Sequence, residues 1–214
     1  MLDWIFQYAG RITFGSAILD FNICIRSIGV FMRVTDKHVF FYSFRDVFSN
    51  HYQEISPFSN FDQKMKGVYF HTGEHYMMYE KAMLFGDKAS AERILKSVTP
   101  QGAKRLGRKV KDFDQAVWDE NKFNIVTRLV YSRMCDNGNL RELAVGYRKK
   151  GLKFVEASPR DRIWGIGMDE NHPMVDDESF WYGENLLGKA WDEATDMIID
   201  VSEAMNMIGK CEAY

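Results

Sequence analysis

Cysteine is scarce in this chain, at three residues in 214. Cys24, Cys135 and Cys211 are odd in number and far apart, and no CxxC pair occurs. A disulfide framework, a zinc ribbon and a thioredoxin-type motif are therefore excluded, and free thiols in a reducing compartment are expected. Long apolar runs are also missing. Arg11, Asp20, Arg26 and Arg33 interrupt the N-terminal third well short of the about 18 uncharged residues that suggest a membrane span. Met1-Leu2-Asp3-Trp4 carries no basic segment of a signal peptide, so a cytoplasmic protein without a membrane partner is the expectation. An excess of positive charge is absent too: the formal net charge is −2, which excludes a general nucleic-acid coater but leaves local basic patches open. No internal repeat, low-complexity run or linker is present.

What the chain does have is an ordinary globular composition, 46% hydrophobic and 27% charged, with an aromatic content of 14%. The length fits one domain with a core that needs no cross-link. Strands are expected at 38–44, at 67–70 and at 152–155, with a further strand-like stretch at 23–28, and the polar segment 45–61 reads as loop. Helices are expected from the cap Thr72 to about Phe85, from Asp87 or Ser90 to Val98, and from Thr99-Pro100 to about Lys109. Others should cover about 114–136, 140–150 (closed by Gly151) and 185–208, with a loop over 158–177. Few strands, many helices and no βαβ alternation give an α+β, predominantly helical single-domain fold with a small β-sheet. Residues 1–37 carry no motif and read as an N-terminal accessory segment, leaving 38–214 as the domain.

Four segments could carry chemistry. In His71-Thr72-Gly73-Glu74-His75, Glu74 sits in a first helical turn, where an acid simply complements the helix dipole. Glu74, Met78 and Lys81 share one face, however, and apolar neighbours raise a carboxyl into the range useful for acid–base work. The same residues spell H-x-x-E-H, a zincin-like pattern that needs both His71 and His75 on one helical face, whereas Thr72-Gly73 reads as a helix entrance. The second segment, 156–167, follows a strand and joins Glu156, Arg160, Asp161, Arg162 and Trp164 to a G-x-G. It is either a tight surface loop or a ligand wall. In the third, Asn185 reads as a helix cap and Gly188 as a costly helix residue with a packing or ligand reason. The fourth is the basic run 104–111, a solvated face or a phosphate contact.

In this order the segments resemble the NADAR (YbiA-like) family of N-glycosidases. The resemblance rests on Glu74-His75-Tyr76, Leu84-Phe85-Gly86-Asp87, Leu106-Gly107-Arg108-Lys109-Val110 and Val117-Trp118. It continues through Val155-Glu156-Ala157-Ser158-Pro159, Asp161-Arg162-Ile163-Trp164-Gly165 and Leu186-Leu187-Gly188. It spans about 39–198. It implies hydrolysis of the bond between ribose C1 and an amine nitrogen, with no cofactor and no metal. The implied substrates are ADP-ribose on guanine in nucleic acid or phosphoribosylamino intermediates of riboflavin synthesis. Small ribosyl or ADP-ribosyl molecules, and ADP-ribosylated DNA or RNA, are the expected partners. Glu74 and Asp161 would carry catalysis, Glu74 protonating the departing nitrogen or activating water and Asp161 favouring the cationic sugar. Lys81 or Arg108 would meet a phosphate, and Trp118 or Trp164 would stack on the heterocycle. Arg162, Gly183, Asn185 and Gly188 complete the expected binding set, with Ser49 and Asn50 from Phe48-Ser49-Asn50, or else the similar Phe58-Ser59-Asn60. A non-catalytic ADP-ribose reader and a zinc hydrolase through His71, Glu74 and His75 are the alternatives.

Overall fold

A computed structural model describes residues 32–211. Its sheet has three strands, β1 (Arg33–Val34), β2 (His38–Phe41) and β3 (Lys153–Glu156), in the order β1-β2-β3. β1 pairs antiparallel with β2, and β2 pairs parallel with β3 in the register Val39↔Phe154 and Phe40↔Val155. The strand-like stretch at 23–28 lies outside the described residues. The sheet thus begins within the segment set apart at 1–37, because β1 is already hydrogen-bonded to β2.

Six helices fill the connection between β2 and β3: α1 (Phe61–Met65), α2 (Gly73–Leu84), α3 (Lys88–Leu95), α4 (Pro100–Gly107), α5 (Gln115–Asp136) and α6 (Gly138–Lys149). A seventh, α7 (Leu186–Cys211), follows β3. Five of the starts, those of α2 to α6, are chemically marked. Thr72 accepts from His75 N, Asp87 from Ser90 N, Thr99 from Gly102 N, Asp114 from Val117 N and Asn137 from Leu140 N. Gly151, at φ 79°, occupies the left-handed position that lets the chain leave α6 for β3.

Two expectations fail. Residues 67–70 form no strand; Phe70 makes one isolated bridge to Phe58, and both rings are buried, so aromatic character here serves the core and no ladder. The 45–61 loop is followed at once by the short helix α1, started by the cap Asn60.

The sheet is covered on both sides, as its fully buried β2 requires. Val39, Phe41 and Phe154 face the helices, joining Phe48, Tyr147 and Trp191 in the main core. Phe40 and Val155 face the other way, into a smaller cluster with Ala157, Ile166, Met168 and Val175 beneath the 157–181 loop. α2 is buried at Gly73–Tyr79 and again at Ala82, which makes it the central helix. α3, α4 and α5 all pack on it, and α5 packs on α7.

Candidate active site

Glu74 is the acid on the central helix. Its side chain is 2% exposed, and its Oε1 is buried without a partner. Burial, with the charge of Asp161 acting the same way, pushes its carboxyl up to about 7, against the opposing pull of Lys104 and Arg108. The helix-dipole role is therefore outweighed by desolvation.

The loop before α2 closes over this acid. Asn50 O accepts from Glu74 N at 2.8 Å. Asn50 Oδ1 is buried without a partner, and a Cβ at Gly73 would stand 2.5 Å from it. Ser49 Oγ accepts from His51 N at 3.1 Å, and His51 Nε2 stands 3.7 Å from Glu74 Oε2. Phe48-Ser49-Asn50 is thus the segment that meets Glu74. Phe58-Ser59-Asn60 is engaged elsewhere, Asn60 capping α1 and donating to Tyr76 Oη at 2.7 Å. A buried ion pair pins the loop: Arg133 Nε lies 2.7 Å from Glu54 Oε1, and Arg133 Nη2 donates to Val47 O at 2.5 Å.

The segment after β3 supplies two more carboxylates. Glu156, at the end of β3, is half-buried overall, yet its Oε2 is sealed off without a partner. Burial pushes its carboxyl up to about 8, with the negative charges of Asp161 and Glu74 adding to the effect against the pull of Lys104. Asp161 Oδ1 accepts from the N–H groups of Ile163 and Trp164, each at 2.9 Å, donors that solvate an anion. Glu74, Glu156 and Asp161 therefore sit near enough for their charges to act on one another. Glu156 was not among the expected site residues. Its place directly after an apolar strand and before Asp161 was the available signal.

Asn185, Gly183 and Gly188 build the frame. Asn185 is buried in a left-handed conformation, φ 53°, which Asn tolerates better than most residues. Its side chain continues the sheet beside β3: Oδ1 accepts from Glu156 N at 3.0 Å and Nδ2 donates to Phe154 O at 3.0 Å. Both polar ends of the side chain are thereby engaged by β3. The first N–H groups of α7 are also engaged, Leu186 N donating to Ile163 O and Leu187 N to Trp164 O, so they are not free for a phosphate. A Cβ at Gly188 would lie 2.1 Å from Phe154 O and 2.4 Å from Asn185 Nδ2, and one at Gly183 would lie 2.3 Å from Gly165 O. Gly188→Ala should therefore lose about 1–3 kcal/mol of stability from overpacking, outweighing a helix-propensity gain of about 1 kcal/mol. A thermal melt checks this; an unchanged or raised melting temperature would contradict the close approach.

Basic and aromatic candidates divide into groups. A Cβ at Gly107 would lie 2.0 Å from Met78 Sδ, so α4 meets α2 at this glycine. Lys104 and Arg108 stand one helical turn apart beside it, and both act on Glu74. Among the described residues neither has a carboxylate ion-pair partner, nor do Arg105 and Lys109. Lys81 lies two helical turns beyond Glu74, its Nζ 4.0 Å from the Phe113 ring centroid and 5.2 Å from that of Trp118. Trp118 is 8% exposed and belongs to the main core. Trp164 is half-buried against that core beside Asp161. Arg162 is exposed and lies over the Tyr182 ring.

The zincin-like pattern does not assemble. His71 is exposed ahead of α2, while both ring nitrogens of His75 have partners, Thr72 Oγ1 at 2.7 Å and Ser97 O at 2.9 Å. Among the described residues no three His, Cys, Asp or Glu side chains form a metal-holding group. A separate cavity of about 520 Å³, lined by Tyr52, Glu54, Asp136 and Asn139 among others, contains none of the candidate residues.

The chain is similar to several known proteins. The family model described as the NADAR domain matches residues 39–199. Protein irg-1 of Caenorhabditis elegans is 38% identical over 168 residues, covering 74% of this chain and 78% of its own. N-glycosidase R617 of Acanthamoeba polyphaga mimivirus is 37% identical over 164 residues, covering 72% of this chain and 92% of its own. The solution structure of the Escherichia coli protein YbiA superposes with a TM-score of 0.59 at 24% identity, over 78% of this chain and 88% of that one.

Proposed function

The chain belongs to the NADAR domain family and is an N-glycosyl hydrolase, and we propose that it cleaves the bond between ribose C1 and an amine nitrogen in phosphate-bearing ribosyl compounds. The observation that carries this reading is the set of unpartnered buried oxygens, Glu74 Oε1, Asn50 Oδ1 and Glu156 Oε2, next to the anion Asp161. Such acceptors suit sugar hydroxyls, water and an amine. Nearby positive charge on Lys104 and Arg108, neither with a carboxylate ion-pair partner among the described residues, suits a phosphate or diphosphate.

In this reading the C1–N bond breaks with its electron pair leaving on nitrogen, and positive charge spreads over C1 and the ring oxygen. Asp161 favours that charge. In this reading the two glutamates divide the proton work, one giving a proton and one taking it, as the hydrolysis requires. Glu156, held up to about 8, keeps its proton at neutral pH and gives it to the departing nitrogen. Glu74, at about 7, takes the proton of the water whose oxygen bonds to C1. Trp164 supplies an aromatic wall beside Asp161. Cys135 is a free thiol pushed up to about 12 by burial, which keeps it out of this chemistry.

ADP-ribose on guanine and phosphoribosylamino pyrimidines both present this bond, and ADP-ribosylated DNA or RNA would present the first on a polymer. Chromatography of reactions with each substrate distinguishes them: release of unmodified guanosine with ADP-ribose, or of amine with ribose phosphate, is the expected result. Tight binding of ADP-ribose with neither substrate cleaved would mark the chain as a reader and overturn the proposal.

A further inference from the structure

His51 is the ionisable side chain that links the interior of this site to its exterior. It follows Asn50 in the loop pinned by Arg133 and Glu54, and its N–H is fixed on Ser49 Oγ. Its Nε2 stands 3.7 Å from Glu74 Oε2, and its side chain is 28% exposed where that of Glu74 is 2% exposed. We infer that His51 carries protons between the Glu74 carboxyl and solvent. The inference rests on the assignment of Glu74 as the base in the reaction proposed above.

Each hydrolysis places one proton on Glu74 and takes one from Glu156. Before the next turnover the O–H bond at Glu74 must break, and Glu156 must regain a proton from solvent. For the transfer Nε2 and Oε2 must close from 3.7 Å to the about 3 Å of a hydrogen bond. The neutral imidazole then accepts the Glu74 proton, an N–H bond forms, and the imidazolium releases a proton to bulk water. The charged groups acting on the ring are Glu74 from α2 and Lys104 from α4. Burial and the Lys104 charge hold the imidazole below its ordinary range, so it stays neutral near pH 7 and passes the proton on rather than storing it.

The test compares His51→Gln and His51→Ala with the unaltered protein on ADP-ribosyl-guanosine and a phosphoribosylamino pyrimidine. Steady-state turnover should fall on the order of tenfold, while the first turnover in a single-turnover experiment stays unchanged. Added imidazole should restore His51→Ala and leave the unaltered protein unaffected. Equal loss in both regimes without rescue would mark His51 as a packing residue and overturn the inference, as would unaltered steady-state turnover. Should Glu74→Gln be as active as the unaltered protein, the base assignment fails first. A slow Glu74→Gln with an unaffected His51→Gln removes the shuttle alone. A substrate-free measurement decides independently: the imidazole resonances of His51, followed by NMR against pH, should show a second inflection from Glu74 that vanishes in Glu74→Gln. Superimposable curves would overturn the inference.

Discussion

Glu74→Gln is expected to fold and to lose about 10²–10⁴ of its turnover, the usual contribution of a positioned acid–base group. Gln preserves the volume of a side chain that is 2% exposed and fits the same position in α2, so the packing that surrounds it is kept. What it removes is titration. The carboxyl is held up to about 7 by burial on the central helix and by Asp161, so that near neutral pH both of its protonation states are populated. The rate of the unaltered protein should accordingly rise with pH through about 7 as Glu74 deprotonates, and fall through about 8 as Glu156 loses its proton. The rising limb should vanish in Glu74→Gln. A folded Glu74→Gln protein, verified by circular dichroism and a melt, that works within a few-fold of the unaltered protein would reduce Glu74 to an acid that complements a helix start.

Much of the scaffold behind this residue is legible in the chain. Thr72, Asp87, Thr99 and Asp114 each precede a helix with the oxygen that a first turn needs, and each caps the helix expected of it. These signals are local, acting over three residues, and local signals survive in a sequence. The failures are cooperative features. Two residues, Arg33–Val34, suffice for β1 only because β2 is there to pair with them. Tyr69-Phe70 has strand composition, but Phe70 finds one bridge partner, and its ring packs on Tyr76 and Tyr79 of α2.

The site divides the same way. Glu74 and Asp161 stand out by residue type and context. That Asn185 would continue the sheet beside β3 depends on backbone groups thirty residues away, which no spacing rule contains. Glu156 opens a segment that reads as a tight loop or a ligand wall, and only three-dimensional proximity to Glu74 and Asp161 singles it out. His51 is a common loop residue until the Arg133–Glu54 pair fixes that loop against α2.

Two buried carboxyls also make the fold sensitive to pH, and the sign follows from their direction. Glu74 and Glu156 are raised from 4.5 to about 7 and about 8, so between those values and 4.5 the folded chain holds protons that the unfolded chain has released. Stability must then fall as pH rises through this window. Their contribution is fully present below about pH 4.5 and is lost as the folded groups ionise. At about 1.4 kcal/mol for each unit of pKa, the loss between pH 5 and pH 9 is on the order of a few kcal/mol for each of the two groups. Asp192, raised to about 6 by burial, adds in the same direction over a lower range. Asp87, lowered to about 2 by hydrogen bonds from Lys111 N and from Ser90 at the start of α3, acts oppositely but only in acid, below the other transitions. Glu156→Gln mimics the protonated acid and cannot ionise. It should melt with the unaltered protein at pH 5 and several degrees above it at pH 9. The Glu74→Gln/Glu156→Gln pair should flatten most of the pH dependence, and should do so while abolishing turnover, because the same desolvated carboxyls that weaken the fold in base are the ones proposed to move protons. Glu156→Gln melting at or below the unaltered protein at pH 9, with no difference at pH 5, would show that its carboxyl is not held protonated, and the proton donor would have to be sought elsewhere in the site.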